Sequence, residues 1–129
     1  MAKDKPKVLV IEDDEYSRDA LAHLLAAEDY EAQSASDGET GLAKAHEMHP
    51  DVIVLDLNLP GIDGKQVIRM IRQDGPLRDV PILIVTGDED RAAQSAVELG
   101  ADGYLTKPVE FDDLIGAIDG LKTGAHRAA

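Results

Sequence analysis

The chain contains no cysteine and no tryptophan, and only one phenylalanine and three tyrosines among its 129 residues. Without cysteine there is no disulfide framework, no thiolate metal site and no thiol nucleophile. That absence fits a reducing compartment. Basic residues are scarce as well: 13 Lys and Arg stand against 26 Asp and Glu, for a formal net charge of −13. Such a field repels polyanions, which argues against nonspecific binding to nucleic acid and against anionic membranes. Long hydrophobic runs are missing too. The clearest apolar runs, at 8–11, 52–55 and 82–85, have four residues each, where a spanning helix needs about 20. No apolar segment of signal-peptide length follows the opening Met-Ala-Lys-Asp-Lys-Pro.

What is present is ordinary globular material. Hydrophobic residues make up 43% of the chain, more than a disordered acidic tail carries. A chain of this length buries roughly two-thirds of its unfolded surface, enough for a self-sufficient core. The expectation is one soluble, cytoplasmic domain over 1–129, with its core at about 7–121 and flexible ends at 1–6 and 122–129. No output domain is visible after the last helix, so a stand-alone protein and an excised module both fit.

The three short runs are continuous and rich in β-branched residues, and read as strands buried on both faces. Weaker strands are expected at 31–35 and 103–106. Helical spacing lies between them: Leu21, Leu24 and Leu25, then Val67, Met70 and Ile71, then Ala93, Ala96 and Val97. Phe111, Leu114, Ile118 and Leu121 mark a last helix. A shorter helix carrying Leu42 and Ala45 is expected to start at Ser36, with Glu39 completing a capping box. Met48 and Met70 read as packing residues. Five βα units in succession imply a parallel sheet covered by helices on both faces.

In open α/β sheets, ligands bind beyond the carboxyl ends of the strands. Residues 12–15, Glu-Asp-Asp-Glu, follow the first run; Asp56 follows the second, Thr86 the third, and Lys107 the 103–106 strand. Each has a plain reading: a solvated loop with a helix cap for 12–15, a turn or cap for Asp56, ordinary surface chemistry for Thr86 and Lys107. Their meeting at one edge is what those readings leave unexplained. Oxygen ligands without His or Cys suit a hard cation, and Mg²⁺ commonly takes one or two protein carboxylates with several waters. The negative charges of Glu12, Asp13 and Asp56 would be balanced by Mg²⁺ and the Lys107 ammonium, leaving Thr86 and backbone N–H groups to receive a phosphoryl group on Asp56.

Taken together, these residues resemble the receiver domain of bacterial two-component response regulators. The motifs are Val-Leu-Val-Ile-Glu-Asp-Asp at 8–14, Asp-Leu-Asn-Leu-Pro-Gly-Ile-Asp-Gly at 56–64, Thr86, and Gly-Ala-Asp-Gly-Tyr-Leu-Thr-Lys-Pro at 100–108. The resemblance implies a flavodoxin-like (βα)5 fold with strand order 2-1-3-4-5. It implies that Asp56 accepts a phosphoryl group from a phosphohistidine on a sensor histidine kinase or histidine phosphotransfer protein. Asp13, Asp56 and the Asn58 carbonyl would bind Mg²⁺ directly and Glu12 through a water. Thr86 and Lys107 would contact the phosphoryl oxygens, and the bond before Pro108 would be cis. Tyr104 sits where the family carries its switching aromatic; its plain reading is a half-buried strand aromatic. The surface of the fourth helix, fifth strand and fifth helix would carry the signal to a downstream protein, in a monomer or a phosphorylation-dependent dimer.

Three positions depart from the commonest pattern: Glu12 for Asp, Gly87 for Ala and Val109 for Phe. Asn58 and Asp88 are placed to tune the loss of the phosphoryl group. A phosphohydrolase working through an aspartyl phosphate is the competing enzyme reading. Haloacid-dehalogenase-type enzymes carry Asp-x-Asp after the first strand, however, whereas here Asp56 follows the third and position 58 is Asn. A phosphorylation-independent scaffold of the same fold is the third possibility. His23, His46, His49 and His126 share no ligand spacing, and no Walker A, Gly-x-Gly-x-x-Gly or serine-nucleophile motif is present.

Overall fold

A computed structural model describes residues 5–122. The chain alternates strand and helix: β1 (Lys7–Ile11), α1 (Glu15–Ala27), β2 (Glu31–Ala35), α2 (Gly38–Met48), β3 (Val52–Leu55) and α3 (Gly64–Arg72). A 3-10 turn (Gly75–Leu77) leads to β4 (Ile82–Thr86), α4 (Glu89–Leu99), β5 (Gly103–Thr106) and α5 (Phe111–Lys122). All strand pairs are parallel, in the order β2-β1-β3-β4-β5. This is the expected five-stranded topology. Lys122, expected in the flexible end, is the last residue of α5; His126 and the rest of that end lie outside the described residues.

The two-residue period of a strand divides the core. Leu9, Ile11, Ile53, Leu55, Ile82 and Ile84 pack on one side of the sheet with Ala45, Met48, Val67, Ile68, Ile71 and Ala92 from α2, α3 and α4. Val8, Val10, Val52, Val54, Leu83 and Val85 pack on the other with Leu25 of α1 and Leu114, Ile118 and Leu121 of α5. The central strands are therefore apolar on both faces, which is why they read as continuous runs. Among the described residues no helix is long and apolar enough to cross a membrane.

Among the described residues, four of the five α-helix starts are fixed by an acid. Asp14 accepts from the Ser17 N–H at 2.8 Å, Asp37 from Thr40 at 2.7 Å, Asp63 from Gln66 at 2.9 Å and Asp88 from Arg91 at 3.0 Å. α2 thus starts one residue later than expected, capped by Asp37 instead of Ser36. Asp37 brings a full negative charge to the positive end of the helix, where Ser36 offers only a hydroxyl dipole. α3 has a complete capping box, because Gln66 Oε1 also accepts from the Asp63 N–H at 3.2 Å. Asp63→Ala is expected to cost about 1 kcal/mol, read as a lower urea midpoint with an unchanged m-value.

Two helices present different faces from those the spacing suggested. α4 buries Ala92 and Ser95, while Val97 is 85% exposed. Alanines barely distinguish one face from the next, and the inward Ser95 hid the true stripe. In α3 the buried residues are Val67, Ile68 and Ile71, and Met70 is about half exposed. Met48 is buried, as expected. The histidines have local duties: His46 pairs with Asp74 at 2.8 Å, His23 Nδ1 contacts the Asp19 carbonyl at 2.9 Å, and His49 ends α2 in a left-handed conformation.

Candidate functional site

The register brings the strand ends to one level. Ile11 pairs with Leu55, and Leu55 with Ile84, so the residues that follow β1 and β3 are neighbours at the point where strand order reverses. The ladder runs on past the apolar residues: the Asp56 N–H donates to the Ile11 carbonyl at 3.1 Å, and the Lys107 N–H to the Thr86 carbonyl at 2.9 Å. Lys107 Nζ lies 2.7 Å from Glu12 Oε1 and 2.8 Å from Asp56 Oδ2. The peptide bond between Lys107 and Pro108 is cis. An ammonium from the fifth strand end therefore bridges carboxylates from the first and third.

The remaining carboxylate oxygens are held by the backbone. Glu12 Oε2 accepts from the Asp14 N–H at 3.1 Å, and Asp56 Oδ1 from the Asn58 N–H at 2.9 Å. Glu12 and Asp56 are 3% and 7% exposed, so neither charge is dissipated by water. Thr86 is fully buried, and its Oγ1 has no hydrogen-bond partner. A buried hydroxyl without a partner is costly and stands ready for an incoming acceptor. Asp13 is exposed. Among the described residues, no three acidic or histidine side chains are gathered as a metal cage. The donor set at Asp56 is the two buried carboxylates of Glu12 and Asp56, bridged by Lys107. It matches the sparse protein ligation of Mg²⁺ and lacks the nitrogen and sulfur that zinc sites favour.

Burial raises the carboxyl pKa of Glu12 despite its bonds to Lys107 and Asp14. Burial alone would lower Lys107, but its hydrogen bonds and charge contacts with Asp56 and Glu12 outweigh that and hold the ammonium above its ordinary value. The two partners do not mirror each other because Glu12 is much the more deeply buried. Glu12, with a raised carboxyl, binds its proton more tightly folded than unfolded. Its ionisation therefore costs stability as pH rises through the window just above the ordinary glutamate value. Lys107 contributes stability that is complete below the ordinary lysine value and lost as pH rises through its higher folded one. Lys107→Met is accordingly expected to destabilise the protein by about 1–3 kcal/mol at pH 7, below the usual cost of breaking a buried pair because water reaches the ammonium. The loss should shrink as pH is lowered from 7 to 5, the direction in which the raised Glu12 carboxyl takes up its proton. Urea unfolding at both pH values tests this, and a pH-independent loss would count against it.

Residues 8–119 match the model of the response regulator receiver domain. The chain belongs to this family. The transcriptional regulatory protein AfsQ1 of Streptomyces coelicolor is 42% identical over 106 residues, covering 81% of this chain and 46% of that protein. The receiver spans about half or less of the length of the curated relatives it matches. The chemotaxis response regulator CheY4 of Vibrio cholerae superposes with a TM-score of 0.84 at 30% identity, covering 91% of this chain and 98% of that one. The receiver domain of the sensor histidine kinase PA1611 from Pseudomonas aeruginosa shares the fold at 24% identity, with a TM-score of 0.85 over 92% of this chain and 98% of its own. That structure is described with a magnesium ion in its active site cleft.

Of the residues singled out in the receiver's sequence, Glu12, Asp56 and Lys107 form one bonded cluster, with Thr86 at the same edge. Tyr104 lies on the edge strand β5 and is 38% exposed. Two arginines escaped sequence reasoning. Arg18 Nη1 donates to the Glu12 and Asp13 carbonyls at 3.0 and 3.2 Å, pinning the acidic loop from α1. Arg91 Nη1 donates to Asn58 Oδ1 at 2.7 Å. The only sequence signal for either was its position in the first turn of the helix after a site strand.

Proposed function

We propose that this receiver accepts a phosphoryl group on Asp56 from the phosphohistidine of a sensor histidine kinase or histidine phosphotransfer protein, in a Mg²⁺-dependent reaction. The observation that carries the proposal is the bonded cluster of Asp56, Lys107 and Glu12 beside the unpartnered Thr86 hydroxyl. In the transfer, an Asp56 carboxylate oxygen attacks phosphorus, the P–N bond breaks, and its electron pair returns to the donor imidazole. Mg²⁺ would neutralise charge on the phosphoryl oxygens, held by Asp13, Asp56 and the Asn58 carbonyl, with Glu12 acting through a water. Lys107 pairs with one phosphoryl oxygen, and the Thr86 hydroxyl donates to another, gaining the partner it lacks. The backbone bond from Asn58 keeps the carboxylate oriented before the donor arrives.

Thr86 ends β4 two residues before Asp88, the cap of α4, so movement of Thr86 towards the phosphoryl group reaches α4 through that short link. Tyr104 turns inward into the space this vacates, and the α4–β5–α5 surface presents the change to a downstream protein. The modification biases an existing equilibrium. The protein works in the cytoplasm, as a monomer or a phosphorylation-dependent dimer, and catalyses the gain and loss of its own phosphoryl group without a turnover substrate. Incubation with acetyl phosphate tests the reading. Intact mass should show one phosphoryl group per chain with Mg²⁺ and none with chelator; no incorporation, or incorporation indifferent to Mg²⁺, overturns it.

A further inference from the structure

We propose that Arg91 sets the lifetime of the aspartyl phosphate by holding the Asn58 side-chain amide out of the hydrolytic reaction, an inference that rests on Asp56 being the phosphoryl acceptor. Two hydrogen bonds carry it. The Asn58 N–H donates to Asp56 Oδ1 at 2.9 Å, and Arg91 Nη1 donates to Asn58 Oδ1 at 2.7 Å. Asn58 is thus tied to the acceptor through its backbone and to α4 through its side chain. Arg91 is itself anchored, because its N–H donates to the capping carboxylate of Asp88 at 3.0 Å. Its long side chain starts from a fixed point just past Thr86 and crosses to the loop that carries Asp56.

The choice of partner is informative. The chain has a net charge of −13, yet among the described residues the Arg91 guanidinium pairs with no carboxylate and is committed to a neutral amide. A charged donor makes a strong bond to such an acceptor. In hydrolysis, a water oxygen attacks phosphorus and the bond from phosphorus to the Asp56 oxygen breaks. Its electron pair returns to the carboxylate, and both water protons leave on inorganic phosphate as H₂PO₄⁻. The attacking water is oriented by an acceptor for one of its O–H groups. Asn58 Oδ1, two residues from the acceptor, is a side-chain carbonyl suited to that role. Arg91 takes one lone pair of that oxygen and holds the amide towards α4, so the water is oriented less well and the phosphoryl group persists longer. Arg91 is a positioning residue: it acts on the reaction through Asn58.

The test follows decay of the phosphorylated protein after acetyl phosphate is removed, at fixed excess Mg²⁺. Arg91→Ala should shorten the lifetime about three- to tenfold, the worth of one hydrogen bond, and Arg91→Lys should recover part of it. In an Asn58→Ala background the same Arg91→Ala change should alter the lifetime less than twofold, because its intermediary is gone. The unfolding midpoint and the rate of phosphoryl uptake should stay at the wild-type level in Arg91→Ala, which separates this role from a structural one. An unchanged or longer lifetime in Arg91→Ala overturns the inference, as does an equal shift in both backgrounds. If wild-type protein takes up no phosphoryl group at all, the reading of Asp56 falls first and takes the role of Arg91 with it.

Discussion

Asp56→Asn protein incubated with acetyl phosphate and Mg²⁺ is expected to keep its unmodified mass, with incorporation at background. The amide has the shape of the carboxylate, and its carbonyl oxygen still accepts from the Asn58 N–H where Asp56 Oδ1 does now. What it loses is the nucleophilic anion, since the amide nitrogen is a poor nucleophile. The fold should survive. Lys107 gives up one of its two carboxylate partners, but the repulsion between Glu12 and Asp56 disappears as well. These opposed terms should leave stability within about 1 kcal/mol of wild type. A folded, unlabelled variant assigns the chemistry to Asp56; a labelled one moves the acceptor elsewhere.

Gly64→Ala is expected to be the most disruptive single-methyl change at the site. A Cβ there would stand 2.6 Å from the Asp56 carbonyl oxygen and 2.6 Å from Leu57 Cα. Both are backbone atoms of the loop that begins at Asp56, so no side chain can turn aside. The Gly64 N–H also donates to the Leu57 carbonyl at 2.9 Å, which draws α3 against that loop. The methyl group must push them apart, at a cost of about 1–3 kcal/mol. Because Asp56 moves with the loop, phosphoryl uptake should slow along with the loss of stability. Gly116→Ala is the control: nothing lies within 4 Å of its Cβ, and in a helix interior it should stabilise by about 0.5–1 kcal/mol. Urea unfolding and labelling of both variants check the contrast, and equal effects would refute it.

Much of this geometry could be read from the chain because both kinds of signal were local. The apolar runs of β1, β3 and β4 are continuous since their residues alternate between two dry faces, and the polar residue ending each run falls at the carboxyl edge. Glu12, Asp56 and Thr86 were legible at that edge for that reason, and Lys107 as the residue that follows the weaker 103–106 strand. α4 was misjudged because Ala92, Ala93 and Ala96 weigh alike in any apolar pattern, and the inward Ser95 counted against the correct face. The roles of Arg18 and Arg91 depend on where the ends of long side chains reach, which spacing along the chain does not encode. α2 starts one residue past the expected Ser36 because the neighbouring Asp37 takes the cap.

The unpartnered Thr86 hydroxyl has a consequence beyond signalling. A resting receiver with a donor unsatisfied in its interior lies closer to local opening than one in which a bound oxyanion takes that bond. A bond that the modified side chain makes only in the folded form favours that form over the unfolded chain, and proteases cut opened chains. If Asp56 takes up a phosphoryl group as proposed, the modified protein should be cut more slowly than the unmodified one in limited proteolysis.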